Sequence, residues 1–255
     1  MKYTDLIFDL YGTLVDIRTE EDDTVWEKTA LYFGYHGVPC SYQALKAEFN
    51  ALLQAKQVQA GQSYECFPDI PIEQIFSCLA QQMGMTSDAD SFGFHAAQLF
   101  RICSTEYIRL YPGVLDALQQ LRAKGCRLWL LSNAQRVFTA YELRHLGLDD
   151  QFDGVYISSD YGFRKPDKRF YQTLLAEHHL DIERCLMIGN DRETDIAGAA
   201  NLGIATLYLH SNITPPGQAP ADPELHPEKA SEACRHFEIE STNYHQLLPL
   251  LTKYF

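Results

Sequence analysis

Four short stretches of this 255-residue sequence hold side chains that could act together on an electrophile. The first, DLYGTLVD, begins at Asp9, near the end of an apolar run over residues 3–10. A carboxylate at the mouth of a strand can attack phosphorus or carbon and form an aspartyl intermediate that water later cleaves. Gly12 lets the chain turn sharply so that backbone amides face a substrate, and Thr13 adds a hydroxyl that fixes the turn. The second, Ser132-Asn133, closes another apolar run, CRLWLLSN. Ser132 and its neighbouring amide suit a transferring phosphoryl oxygen, which Asn133 could orient. The third, Lys165-Pro166, supplies a cation that neutralises nucleophile and substrate, as phosphoryl transfer requires. The fourth, GNDRETDI, sets Asp191 and Asp195 four apart near a helix start. With Asp9 they can hold Mg²⁺, an ion usually bound by one or two carboxylates, waters and substrate phosphate oxygens.

Taken singly, each stretch has a plainer reading. Asp9 alone is a turn former, Ser132-Asn133 a helix cap, and Lys165 a solvated charge. Asp191 and Asp195 could merely favour a helix N-terminal dipole. Their combination, at the ends of successive strands, is what points to chemistry.

The elements that must position them follow from periodicity. From residue 111 onward apolar strands alternate with amphipathic helices. Pro-Gly at 112–113 opens the helix LDALQQLRAKG, which stops at Gly125. CRLWLLSN, GVYIS, RCLMIGN and IATLYL read as strands, separated by helices over about 135–146, 167–179 and 194–202. That alternation predicts a parallel sheet with right-handed crossovers. HFEIES and the helix YHQLLPLLTKYF close the chain, after a Pro-rich, charged stretch over 211–231 that reads as a surface loop. Residues 16–107 differ: 24–35, 41–60, 71–83 and 92–109 read as helices. The expected fold is α/β, a doubly wound, Rossmann-like parallel sheet formed by 1–15 and 108–255, with 16–107 inserted as a helical cap. In such sheets the ligand crevice lies beyond the carboxyl ends of the strands, where Asp9, Ser132, Asn133 and 190–195 fall.

The motifs DLYGTLVD, Ser132-Asn133, Lys165-Pro166 and GNDRETDIAGAANLG, in that order, resemble those of the haloacid-dehalogenase superfamily, and YPGVLDALQQLRAKG resembles its entry back into the core. The resemblance implies Asp9 as nucleophile, Lys165 as its partner, and Mg²⁺ held by Asp9, Asp195, the backbone carbonyl of Tyr11 and either Asn190 or Asp191. It also shows a departure. Phosphatases of the superfamily carry a second aspartate two residues after the nucleophile, as general acid and base; Tyr11 stands there instead. A positioned acid or base is worth about 10²–10⁴ in rate, and in a phosphatase water, Tyr11 or a substrate group would have to replace it. Tyrosine at this place is similar to 2-haloacid dehalogenases, whose chemistry needs no protonated leaving group. Against that, those enzymes grip halide with an early cap arginine, and no arginine occurs from Thr19 to Phe100. They also need no metal, whereas GNDRETDI resembles the metal-binding form. Tyr171, six residues after Lys165, resembles both groups. The expected function is a Mg²⁺-dependent phosphatase of a small phosphorylated metabolite. The alternatives are a metal-independent 2-haloacid dehalogenase and a fold-retaining binding or regulatory protein that turns over weakly.

Composition narrows the partners. A formal net charge of −13 argues against a nucleic-acid backbone or an anionic membrane as the main partner. No apolar run approaches the ~18 residues of a membrane span. The seven cysteines are odd in number and contain no Cys-x-x-Cys pair, which fits a reducing, cytoplasmic setting. The aromatics Trp26, Tyr32, Phe33 and Phe67 are expected mostly in the core of the cap. His178-His179 is expected at the surface. Oligomeric state is not readable.

Overall fold

A computed structural model of the chain describes residues 2–60, 67–86, 88–213 and 236–254. Its frame is a six-stranded parallel sheet in the order β5-β4-β1-β6-β7-β8. The strands are β1 (Asp5–Phe8), β4 (Arg127–Ser132), β5 (Gly154–Ile157), β6 (Cys185–Gly189), β7 (Ala205–Leu209) and β8 (His236–Ile239). β1, β6 and β7 are buried at every residue, which is why they read as unbroken apolar runs: both faces of a parallel sheet are covered. Helices α5 (Val114–Ala123), α6 (Arg136–His145), α7 (Lys168–Glu177), the short α8 (Gly198–Ala200) and α9 (Tyr244–Tyr254) complete this part. One cluster, built around Leu6, Phe8, Leu128, Leu130, Leu186 and Leu207, fills one face; another, around Ile7, Trp129, Leu131, Phe170, Leu174 and Met187, fills the other. The alternation of Leu6, Ile7 and Phe8 between the clusters is the two-residue period of a strand.

β1 is central. The chain continues to β4 and β5 on one side, then crosses back to β6 on the other, pairing Phe8 with Leu130 and with Ile188. The strand order therefore reverses beside Asp9, the position where α/β sheets open a crevice.

Between Leu14 and Tyr111 the chain leaves the sheet through an antiparallel ribbon, β2 (Val15–Thr19) paired with β3 (Thr105–Leu110). Four helices lie between these strands among the described residues: α1 (Asp23–Tyr35), α2 (Tyr42–Ala60), α3 (Ile72–Gln82) and α4 (Ala89–Ser104). They share a cluster that includes Trp26, Phe33, Phe49, Phe76 and Phe100, with Tyr32 packed against it, and that Val137 of α6 joins from the sheet side. On α3, Ile75, Phe76, Leu79 and Ala80 are buried, the i, i+1, i+4, i+5 stripe of an amphipathic helix. The helix expected over 92–109 ends at Ser104, and TEYIRL is a strand. At the ribbon, Asp16 accepts bonds from Asn212 Nδ2 (2.9 Å), Arg109 Nε (2.8 Å) and Tyr107 hydroxyl (3.2 Å). Burial works against its charge, but these donors outweigh burial and hold its carboxyl below the usual range. Most of the loop expected over 211–231 lies outside the described residues.

Candidate active site

The carboxyl ends of β1, β4 and β6 surround a cavity of 320 Å³ whose lining includes Asp9, Tyr11, Asn133, Lys165, Asp191 and Asp195. Its centre is Lys165. The ammonium donates to Asp9 Oδ1 at 2.8 Å and to Asp195 Oδ1 at 2.6 Å, and the side chain is 1% exposed. Burial alone would strip its proton; Asp195 and Asp9 outweigh burial and raise its pKa. Burial pushes Asp195 up to about 7, and Asp9 adds to the push while Lys165 pulls the other way. Two carboxylates thus share one cation, an arrangement with room for more positive charge. Asp195 Oδ2 also accepts from the amides of Asn190 (3.1 Å) and Asp191 (3.0 Å).

The turn after β1 is tight. Gly12 has φ +84°, and a Cβ there would lie 2.3 Å from the Asn190 side chain. Glycine is required by both the left-handed backbone and the close approach. Thr13 donates to Asp9 Oδ2 (3.4 Å) or Asn190 Oδ1 (3.3 Å), so it ties the first motif to the fourth. The buried Tyr244 hydroxyl donates to the Thr13 carbonyl at 3.1 Å, supporting the turn from α9. Gly189 makes a second close approach: a Cβ there would meet Asp195 at 2.3 Å.

Asn133 clamps the backbone of Lys165. Its amide donates to the Lys165 carbonyl at 2.9 Å and accepts from the Lys165 amide at 2.8 Å. It therefore sets the lysine, where sequence reasoning had it orient a phosphoryl group. Ser132 Oγ is buried and has no hydrogen-bond partner among the described residues. An orphaned buried hydroxyl is costly unless something else satisfies it. Asp191 spends one oxygen on the amides of Glu193 and Thr194, both at 2.9 Å, capping the π-type turn Arg192–Ala197. Asn190 Nδ2 donates to Ser211. Tyr171 is buried and its hydroxyl donates to the Thr194 carbonyl, so it braces this turn. Mg²⁺ fits such a donor set: oxygen atoms throughout, with two buried carboxylates short of positive charge. Among the described residues no group of three or more His, Cys, Asp or Glu side chains gathers as a metal site, so an ion bound here would also need a carbonyl or amide oxygen.

Tyr11 departs furthest from the role considered for it. Its hydroxyl turns to α6, donating to Glu142 and sharing a 3.1 Å bond with Thr139. Burial and the nearby Glu142 carboxylate raise its pKa. Glu142 is held from its far side by Arg101, Nε to Oε1 at 2.7 Å and Nη2 to Oε2 at 3.0 Å. The guanidinium lies 5.4 Å from the Tyr11 ring centre. Arg101 closes the arginine-free stretch, and that isolation was its only sequence signal; nothing in the sequence flagged Glu142.

Sequence reasoning also missed the junction between the helical segment and the loops after β4 and β5. Asp69 donates its amide to the Gly162 carbonyl at 3.1 Å, and the Arg164 amide donates to Phe67 O at 2.8 Å. Gln135 donates to Asp69 Oδ1 and accepts from the Ile72 amide, both at 2.8 Å. A second cavity of 240 Å³ sits here, lined by Phe49, Leu53, Ile75, Phe100, Gln135 and Arg164 among others. Arg164 also lines the cavity around Asp9.

This sheet order, with a strand-end aspartate salt-bridged to a buried lysine, defines a class, and comparison with known proteins gives the same one. Residues 6–203 match the family described as haloacid dehalogenase-like hydrolase. The chain belongs to that family. A glyceraldehyde 3-phosphate phosphatase from Methanothermobacter thermautotrophicus is 34% identical over 42% of this chain and 47% of its own length. The matched stretch thus spans about half of that relative. YfnB of Bacillus subtilis is 25% identical over 94% of this chain and 98% of its own. Its crystal structure, bound to magnesium, superposes with a TM-score of 0.53 at 21% identity, over 98% of this chain and 99% of that one. A 2-haloacid dehalogenase from Pseudomonas syringae pv. tomato superposes at 0.63 and 22% identity, over 99% of this chain and all of that one, and shares the fold.

Proposed function

We propose that this hydrolase is a Mg²⁺-dependent phosphatase of a small phosphorylated metabolite, with Asp9 as nucleophile. The observation that carries the reading is the Asp9–Lys165–Asp195 cluster, buried at the strand ends with one cation between two carboxylates. Asp9 attacks phosphorus. Lys165 holds the nucleophile in place and offsets the charge that gathers as a dianionic group approaches it. The unpartnered Ser132 hydroxyl supplies a donor for a phosphoryl oxygen; the Gly12 and Thr13 amides, expected to face a substrate, instead donate to the Val15 and Leu10 carbonyls and close the turn. Asp9, Asp195, the Tyr11 carbonyl and an oxygen of Asn190 or Asp191 would hold Mg²⁺, which when bound neutralises phosphoryl charge. The relative named glyceraldehyde 3-phosphate phosphatase supports the phosphomonoesterase reading.

Residues 16–107 act in this account as a cap over the core of 1–15 and 108–255. Their hydrophobic cluster, which α6 joins through Val137 and Phe138, and their two-strand connection favour a unit that moves as one. The 240 Å³ cavity at the junction would receive the leaving group. The acidic net charge fits a small-molecule enzyme of the cytoplasm without a nucleic-acid or membrane partner. No helix among the described residues is long and apolar enough to cross a membrane.

The test is phosphate release from a panel of small phosphorylated compounds with Mg²⁺ or EDTA, using Asp9→Asn as the blank. Turnover that needs both Mg²⁺ and Asp9 supports the reading; no release from any member defeats it. Tyr11 favours one other reading, a 2-haloacid dehalogenase, which would release halide from 2-haloacids in EDTA.

A further inference from the structure

Transfer of a phosphoryl group to Asp9 breaks the bond from phosphorus to the leaving oxygen, and the electron pair stays on that oxygen. An alkoxide is high in energy unless a proton reaches it as it departs; a carboxylate or phenolate is not. The residue two places past the nucleophile is Tyr11, and its proton is committed elsewhere. The hydroxyl donates to Glu142 and bonds Thr139, and neither partner lines the cavity around Asp9. Arg101 fixes Glu142 by two bonds, at 2.7 and 3.0 Å, so the acceptor cannot swing away without breaking an ion pair. Asp195 and Lys165, also at the cavity, are engaged as well. Both oxygens of Asp195 accept bonds, from Lys165 and from two backbone amides. The Lys165 ammonium is shared between two carboxylates, and Asn133 holds the lysine backbone.

We infer that the enzyme is built for phosphorylated substrates whose leaving group is already a stable anion, acyl phosphates first and aryl or enol phosphates next, over alkyl phosphates. The inference rests on the phosphatase reading. In the first step an Asp9 oxygen bonds to phosphorus while the bond to the acyl oxygen breaks. The carboxylate leaves with the electron pair and takes no proton. In the second, water attacks the phosphorus of the aspartyl phosphate, the Asp9 carboxylate is regenerated, and the water oxygen with both protons leaves as H₂PO₄⁻.

The experiment measures kcat/KM, which reports the first step, on the wild-type protein with Mg²⁺. The substrates are acetyl phosphate, aryl phosphates of graded leaving-group acidity, and the alkyl esters glycerol phosphate and phosphoserine. The expected result is a steep fall of log(kcat/KM) with leaving-group pKa, with acetyl phosphate exceeding the alkyl esters by at least the about 10²–10⁴ that a positioned acid supplies. Tyr11→Asp should then narrow the gap between acetyl and alkyl phosphates. Brisk turnover with a flat dependence, or alkyl esters cleaved as fast as acetyl phosphate, overturns the inference and leaves the phosphatase reading intact. No release from any member overturns that reading and the inference with it.

Discussion

Replacing Lys165 with methionine tests the electrostatic centre of the site. The side chain keeps its length and apolar stem and loses its charge. In the native protein the ammonium is 1% exposed and within 2.8 Å of Asp9 and 2.6 Å of Asp195. Removing one partner of a buried ion pair costs about 3–5 kcal/mol, because the remaining charge is left uncompensated. Here two carboxylates are left. For a chain of this size each kcal/mol lowers Tm by about 2–4 °C, so Lys165→Met should lose roughly 6–20 °C. The sign of the pH dependence follows. Without the lysine, the folded-state pKa of Asp195, already pushed up to about 7 by burial, rises further above its unfolded value. A group raised in this way favours the folded state at pH below its unfolded pKa and loses that contribution as pH rises through the folded value. The deficit should therefore be widest near pH 8 and shrink toward pH 5. Circular dichroism melts of both proteins at several pH values measure it. A variant as stable as the parent, or a deficit independent of pH, would refute the reasoning.

Gly12→Ala forces a side chain into φ +84° and within 2.3 Å of Asn190. A loss of about 1–3 kcal/mol in urea denaturation is expected, with loss of turnover; an equally stable, active variant would contradict the geometry. Leu53→Trp fills part of the 240 Å³ cavity beside Arg164. Steady-state kinetics should show kcat/KM falling for substrates with bulky leaving groups and holding for acetyl phosphate; equal losses on both would remove the cavity from substrate selection. Cys185 is buried, and burial pushes its thiol up to about 12. At pH 8 its thiolate fraction is then about 10⁻⁴, so mass spectrometry should find it unalkylated by iodoacetamide until urea unfolds the chain; rapid modification of the native protein would contradict this.

What could be read in the sequence was local. β1, β6 and β7 announce themselves because a strand covered on both faces is apolar throughout. Asp9 directly follows β1, Lys165 lies in the loop between β5 and α7, and Asp195 lies in the turn after β6; the sheet order brings them together. β3 escaped because TEYIRL continues the helical pattern of α4. It becomes a strand through pairing with β2, a partner far away in the chain. Asn133 was placed correctly at a strand end, but its amide serves the Lys165 backbone 32 residues later, a match no spacing rule encodes. The bond from Tyr11 to Glu142 spans 131 residues and depends on how α6 packs. Tyr11 was therefore recognisable as a departure, while the direction of its hydroxyl was not.

The central claim is that Asp9 takes the phosphoryl group. Wild-type protein should be mixed with acetyl phosphate and Mg²⁺, quenched in acid within one turnover, and examined by intact-protein and peptide mass spectrometry. The account predicts a single phosphoryl adduct on Asp9, absent from Asp9→Asn. Phosphate release without that adduct at any quench time, or turnover that survives in Asp9→Asn, would contradict it.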